Sequence, residues 1–132
     1  ALSWGKSFGG LDALAARADA NAKVLEDWVA ATQWVDFLAA DPKIRSNTSV
    51  CLKVADPAIV ALPASSQALF AKAMAGLLEV EKIAYDIGSY RDAPPGIRIW
   101  CGATVEQSDV AALTPWLDWA FATTKGKFAK AA

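Results

Sequence analysis

Ser49-Val50-Cys51-Leu52-Lys53-Val54 places Val50, Leu52 and Val54 at every second position, which is the pattern of a strand with one buried face. Asp56-Pro57 ends it, because the residue before a proline leaves regular structure and the ring withholds a donor. The alternation returns in Ile97-Arg98-Ile99-Trp100-Cys101, with Ile97, Ile99 and Cys101 on one face and Arg98 and Trp100 on the other. The short apolar run from Ile83 to Ile87 reads as a further strand between these two. The stretch joining it to Ile97 carries Asp92-Ala93-Pro94-Pro95-Gly96, too long and too proline-rich for a tight hairpin.

Helical patterns surround these strands. Leu2 to Phe8 is a short helix stopped by Gly9-Gly10, expected as the tail of a helix from a preceding domain covering residues 1–10. A long helix then runs from Leu11 to about Thr32, with Leu11, Leu14, Ala18, Leu25, Trp28 and Val29 at helical spacing. Its charged side carries Arg17, Asp19, Lys23 and Glu26. Val35 to Ala39 reads as either a turn of helix or an extended link. Ser65 or Ser66 caps a helix to about Lys82, with Leu69, Phe70, Ala73, Leu77 and Val80 inward. Ser108 caps the last helix, whose stripe is Val110, Leu113, Leu117, Ala120 and Phe121. Pro115 either kinks that helix or starts a second one capped by Thr114, and residues 125–132 form a basic, frayed tail. The expectation is one α+β domain over residues 1–132, a small antiparallel or mixed sheet with helices packed on one face.

Composition removes several function classes. A net charge of -1 without a basic cluster argues against a nucleic-acid surface. No apolar run has the roughly 18 to 20 residues that span a bilayer, and Ala1 to Lys6 is no signal peptide. The absence of histidine excludes Ser-His and Cys-His nucleophile pairs and the common zinc sites, so a self-contained enzyme is not expected and no metal is called for. Cys51 and Cys101 lack CxxC spacing and read as reduced core thiols in a cytoplasmic protein. Six tryptophans among 132 residues are more than a small core buries, so part of that surface is expected under another domain or subunit.

The residues that could carry chemistry lie in Gly88-Ser89-Tyr90-Arg91-Asp92-Ala93-Pro94-Pro95-Gly96-Ile97-Arg98-Ile99-Trp100-Cys101-Gly102. An arginine inside a strand either meets a carboxylate or phosphate, which its planar fork fits, or simply points to solvent from the outer face. Both readings of Arg98 stay open on this pattern. Arg91 in the loop is either a second anion contact or a solvated charge, and Tyr90 either donates to a phosphate or caps the loop. Arg45-Ser46-Asn47-Thr48 offers a cation and donors, although such clusters are ordinarily turns. No GxGxxG or P-loop pattern is present.

Three segments carry a family resemblance. Ser3 to Leu11, Ile44 to Cys51 and, above all, Tyr85 to Val105 resemble phosphoserine aminotransferase, most closely the alphaproteobacterial form. The resemblance runs in order over nearly the whole chain. It implies the C-terminal small domain of a class V, fold-type I aminotransferase that uses pyridoxal 5'-phosphate and works as a cytoplasmic homodimer. The implied reaction moves an amino group from glutamate to 3-phosphohydroxypyruvate, giving phosphoserine and 2-oxoglutarate in serine biosynthesis, with a four-carbon homologue on the route to pyridoxine in some members. The cofactor lysine is expected in a large domain before Ala1, since no lysine here lies in the family's cofactor motif, and the chain alone is expected to be inactive. By resemblance, Arg98 takes the α-carboxylate of donor and acceptor, and Arg91 joins the phosphate pocket. Tyr90 stands where many members carry histidine, and the loop to Arg98 is one residue longer. Two other readings fit the residues without the resemblance: an autonomous module binding small phosphorylated anions, and a dimerisation unit using the tryptophans.

Overall fold

The computed structural model describes the backbone of residues 1–131 and side chains through residue 128. Its elements are α1 (Leu2–Ser7), α2 (Gly10–Ala31), β1 (Val35–Phe37), β2 (Ser49–Val54), α3 (Pro57–Val60), α4 (Ala64–Val80), β3 (Ile97–Trp100) and α5 (Gln107–Ala131). The expected α+β architecture is present as a three-stranded antiparallel sheet in the order β1-β2-β3. Val35 pairs with Val54 and Phe37 with Leu52 on one side of β2; Val50 pairs with Ile99 and Leu52 with Ile97 on the other. These residues are buried, apart from the half-buried Val54, and together they form the inner face.

That face packs against α2, α4 and α5 through Leu25, Val29, Phe70, Met74, Leu78, Val110 and Leu117. Removal of this apolar surface from water is the main stabilising term of a sheet covered on one side. Three polar contacts fix the layers. The amide of Asn21, buried on α2, donates to the carbonyls of Cys101 at 3.1 Å and Val105 at 2.9 Å, tying α2 to the turn after β3. The indole N–H groups of Trp28 and Trp34 both donate to the carboxylate of Asp118 on α5, at 3.2 and 2.8 Å. Arg17, expected in solvent, donates to the Ala103 carbonyl at 3.0 Å and pairs with Glu106 at 2.8 Å.

Several expectations change. The strand expected over Ile83–Ile87 is absent. After α4 the backbone turns left-handed at Lys82 (φ 59°), and the N–H groups of Lys82 and Ile83 return to the carbonyls of Glu79 and Leu78 at 2.9 Å each. This is a Schellman ending, so Ile83 closes a helix instead of opening a strand. Only Gly88 bridges to Ile97. Val35–Ala39 resolves as the strand β1 over its first part. Helix α4 starts at Ala64, with Pro63 in the cap position and no side-chain cap from Ser65 or Ser66. Leu11, Leu69 and Val80, expected inward, are exposed.

Helix α5 passes through Pro115 without ending. The proline removes the donor that Ala111 would receive, and the Thr114 hydroxyl donates to that carbonyl at 3.1 Å in its place. Instead of fraying at Lys125, the helix continues to Ala131; residue 132 of the expected tail lies outside the described residues. Gly9 and Gly10, at φ 104° and 81°, make the left-handed junction between α1 and α2. Trp4, Trp100, Trp116 and Trp119 keep exposed surface, whereas Trp28 and Trp34 are spent on the core and Asp118. No described helix is long and apolar enough to cross a membrane.

Candidate functional site

With the helices on one side, the other face of the sheet is open, and alternation decides what it shows. Ser49, Cys51 and Lys53 of β2 stand beside Arg98 and Trp100 of β3. Register pairs Cys51 directly with Arg98 and Ser49 with Trp100. Ile97 and Ile99 anchor β3 in the core, so the strand presents Arg98 from a rigid base.

Arg98 is neither solvated nor fully paired. Its side chain is 16% exposed, and its Nη2 reaches Asp86 Oδ2 at 3.2 Å and the Asp86 carbonyl at 3.4 Å. Its Nε is buried and donates to nothing among the described residues. The Tyr90 ring lies against the guanidinium, 4.3 Å from ring centroid to Cζ, while Tyr90 itself is 64% exposed. A guanidinium stacked on an aromatic face keeps its in-plane donors available for an anion. A cleft of about 400 Å³ adjoins the group, lined by Tyr85, Asp86, Arg98, Ile99, Trp100 and Leu113.

The 88–96 loop reaches this face because of one close approach. A Cβ at Gly96 would lie 2.1 Å from the Leu52 carbonyl oxygen, so only glycine lets the loop pass over β2 into β3. Ala93 N–H donates to the Tyr90 carbonyl at 3.0 Å, closing a turn with Arg91 and Asp92 between them. Arg91 is exposed there and has no hydrogen bond or ion pair among the described residues. The structure thus joins Arg98 with Tyr90 and leaves Arg91 standing out from the loop.

Arg45 serves structure instead. It donates to the carbonyls of Ala39 at 3.0 Å and Ala40 at 3.2 Å and lies over the Phe37 ring. Ser46 accepts from the N–H groups of Thr48 and Ser49, as a turn residue does. A second cleft of about 400 Å³, between β1, α3 and Pro94-Pro95, has its cation Lys53 3.7 Å from Asp36. Only the Arg98 cleft is flanked by a cation that keeps a buried donor without an acceptor among the described residues. Two of that cleft's neighbours escaped sequence reading: Asp86, whose approach to Arg98 needs the turn after α4, and Cys51. Cys51, expected as a core thiol, is instead half-buried on the outer face of β2, where the register with β3 sets it opposite Arg98. Among the described residues no group of His, Cys, Asp and Glu side chains could hold a metal ion.

No family model matches the chain. It is 48% identical over 124 residues to the phosphoserine aminotransferases of Methanosarcina mazei and Methanosarcina barkeri, covering 94% of this chain and 31% of each relative. The fold matches the solved phosphoserine aminotransferase of Bacillus circulans subsp. alkalophilus with a TM-score of 0.73 at 16% identity, over 92% of this chain and 30% of that one. A second solved phosphoserine aminotransferase, studied for radiation damage of its Schiff base, gives 0.66 at 17% identity. The chain spans about a third of the length of the curated relatives it matches, and over nearly its whole extent it is homologous to that third of a phosphoserine aminotransferase.

Proposed function

We propose that the chain is the C-terminal, substrate-binding domain of a phosphoserine aminotransferase. In this reading the parent enzyme is a cytoplasmic homodimer that transfers an amino group from glutamate to 3-phosphohydroxypyruvate in serine biosynthesis. The observation that carries it is the state of Arg98: held by a strand, stacked on Tyr90, and keeping a buried Nε without an acceptor beside an open cleft. Such a fork is suited to a carboxylate approaching in its plane. The identity with the two archaeal relatives supports the assignment of that carboxylate to an amino or oxo acid.

Pyridoxal phosphate would supply the carbanion chemistry of such a reaction. The residues here do not fit its attachment, since every lysine whose side chain is described is exposed or half-buried on the surface. No step is assigned to it on this chain. What these residues do is hold substrate. Arg98 takes the α-carboxylate, common to glutamate and phosphoserine. Arg91, carried on the turn beside Tyr90, takes the distal anion: the phosphate of one substrate or the side-chain carboxylate of the other. One pair of cations then serves both half-reactions.

The test is Arg98→Ala in the full-length protein. Loss of a charged hydrogen-bonded pair is expected to lower kcat/KM for glutamate and for phosphoserine by about 2 to 4 kcal/mol of transition-state binding. Unchanged values for both substrates would remove Arg98 from the site and the reading with it. Strong phosphoserine binding by this chain alone would favour an autonomous anion-binding module instead.

A further inference from the structure

The guanidinium of Arg98 is already met by an acid from its own chain, and the match is a poor one. Arg98 is 16% exposed, whereas the side chain of its partner Asp86 is 92% exposed. The carboxylate makes a single contact, Oδ2 to Nη2 at 3.2 Å, and leaves the buried Nε without an acceptor. A free carboxylate in the plane of the fork accepts two parallel N–H groups. Asp86 therefore supplies the charge that Arg98 needs, with half of the geometry that the fork allows.

The two residues also differ in how firmly they are held. Arg98 sits in β3 between the buried Ile97 and Ile99, its backbone N–H donating to the Ile87 carbonyl at 2.8 Å and its guanidinium stacked on Tyr90. Asp86 lies in the irregular turn after α4 with a left-handed backbone, φ 51°. Among the described residues its side chain has no bond besides the one to Arg98. The movable member of the pair is Asp86.

We infer that Asp86 is a stand-in carboxylate. It neutralises Arg98 while the site is empty, yields to the substrate carboxylate, and so sets the apparent affinity for carboxylate ligands. The inference rests on the reading of Arg98 as the carboxylate-binding residue. A single-contact pair whose acid is exposed to water is easily broken, so displacement is cheap but not free. Apparent affinity is the intrinsic affinity reduced by the fraction of molecules in which the fork is unoccupied. Removing the Asp86 charge is therefore expected to tighten carboxylate binding by about two- to fivefold. A residue that merely oriented Arg98 would give the opposite sign.

The experiment is calorimetric titration of the full-length protein with glutamate, together with KM and kcat, for Asp86→Asn, Asp86→Gly, Arg98→Gln and the double variant Asp86→Asn/Arg98→Gln. Both replacements at Asp86 tolerate a left-handed backbone. The expected result is a glutamate Kd and KM lowered about two- to fivefold by either Asp86 variant, a larger loss of affinity in Arg98→Gln, and no gain from Asp86→Asn in the Arg98→Gln background. If both Asp86 variants bind glutamate as the parent does or more weakly, while Arg98→Gln still loses affinity, the stand-in role is overturned and the carboxylate role of Arg98 survives. If Arg98→Gln binds glutamate like the parent, both fall together.

Discussion

Lys125 on α5 places its ammonium 2.7 Å from the carboxylate of Asp56, 69 positions earlier in the chain, closing the last helix onto the turn that follows the central strand. The same carboxylate caps α3, accepting from the N–H groups of Ala58 and Ile59. The hydrogen bond from Lys125, then its charge and the two backbone donors, hold Asp56 below the ordinary carboxylate pKa against the opposing effect of burial. A depressed folded-state value means stability that is present above the unfolded carboxylate range and lost as pH falls through the folded value. Asp56→Asn keeps a capping oxygen and loses the ion pair, so it should cost less than about 1 kcal/mol at pH 7. Asp56→Ala loses both and should cost about 1 to 2 kcal/mol. Urea midpoints at pH 7 and pH 3.5 check this: the deficit of Asp56→Asn should shrink at the lower pH, and an unchanged deficit would deny the titration.

Asp118 receives two indole N–H groups, and Trp34, one of their owners, is buried and stacked on Phe121 at 4.4 Å. Asp118→Ala should cost about 1 to 3 kcal/mol, because buried donors are left without acceptors. Asp118→Asn keeps one oxygen and should recover part of that. Urea unfolding followed by tryptophan fluorescence measures both, and equal stability of all three proteins would show that water satisfies the indoles.

Those contacts mark where sequence reading stops. The alternation at Val50, Leu52, Ile97 and Ile99 is local, so β2, β3 and the outer-face position of Arg98 were legible in the chain itself. The run Ile83–Ile87 is equally apolar but follows a left-handed Lys82, and its first residue caps a helix; composition does not separate these uses. Leu11 and Val80 fit a helical period and are nonetheless exposed, because periodicity marks a face without saying what covers it. Asn21 gave no signal at all, since its acceptors come from a turn about 80 residues later. In the candidate site, Arg98 and Tyr90 were visible from type and position. The pairing of Arg98 with Asp86 needed the turn after α4, and its pairing with Cys51 needed the strand register.

Gly96 links stability to the site. A methyl group there would meet the Leu52 carbonyl at 2.1 Å, and backbone must move to admit it. Gly96→Ala is expected to destabilise by about 1 to 3 kcal/mol, as overpacking does, and to shift the loop that carries Tyr90 and Arg91. The accompanying rise in KM for phosphoserine should exceed any change in kcat. A destabilised variant with an unaltered KM would mean that the strand, and not the loop, gave way.

Arg91 should separate the two ends of the substrate. In the full-length protein, Arg91→Ala is expected to raise KM for phosphoserine by about 10- to 100-fold, the loss of a charged hydrogen bond to phosphate. The effect on glutamate should be smaller, since its distal carboxylate carries less charge. An equal effect on both substrates would make Arg91 a contributor to the loop's shape instead of a phosphate contact.

Cys51 and Cys101 should report on the two faces of the sheet separately. Cys101 is buried with the core, and that burial pushes its thiol up to about 11. A raised thiol pKa means stability that is complete below the unfolded value near 9 and declines as pH rises toward 11. The stability gap between the parent and Cys101→Ala should therefore narrow between pH 8.5 and 10.5, as read from urea midpoints. Cys51 is half-buried on the open face, directly opposite Arg98. Cross-strand neighbours stand with Cβ atoms about 5 Å apart, so a bulky group on Cys51 would crowd the guanidinium. In native protein treated with an aromatic disulfide reagent, Cys51 should react quickly and Cys101 only on unfolding. The full-length protein modified at Cys51 should bind glutamate at least tenfold more weakly, with bound glutamate slowing the modification in turn. If modification at Cys51 leaves glutamate binding intact, the carboxylate does not lie on the open face of the sheet, and Arg98 would have to be read as structural.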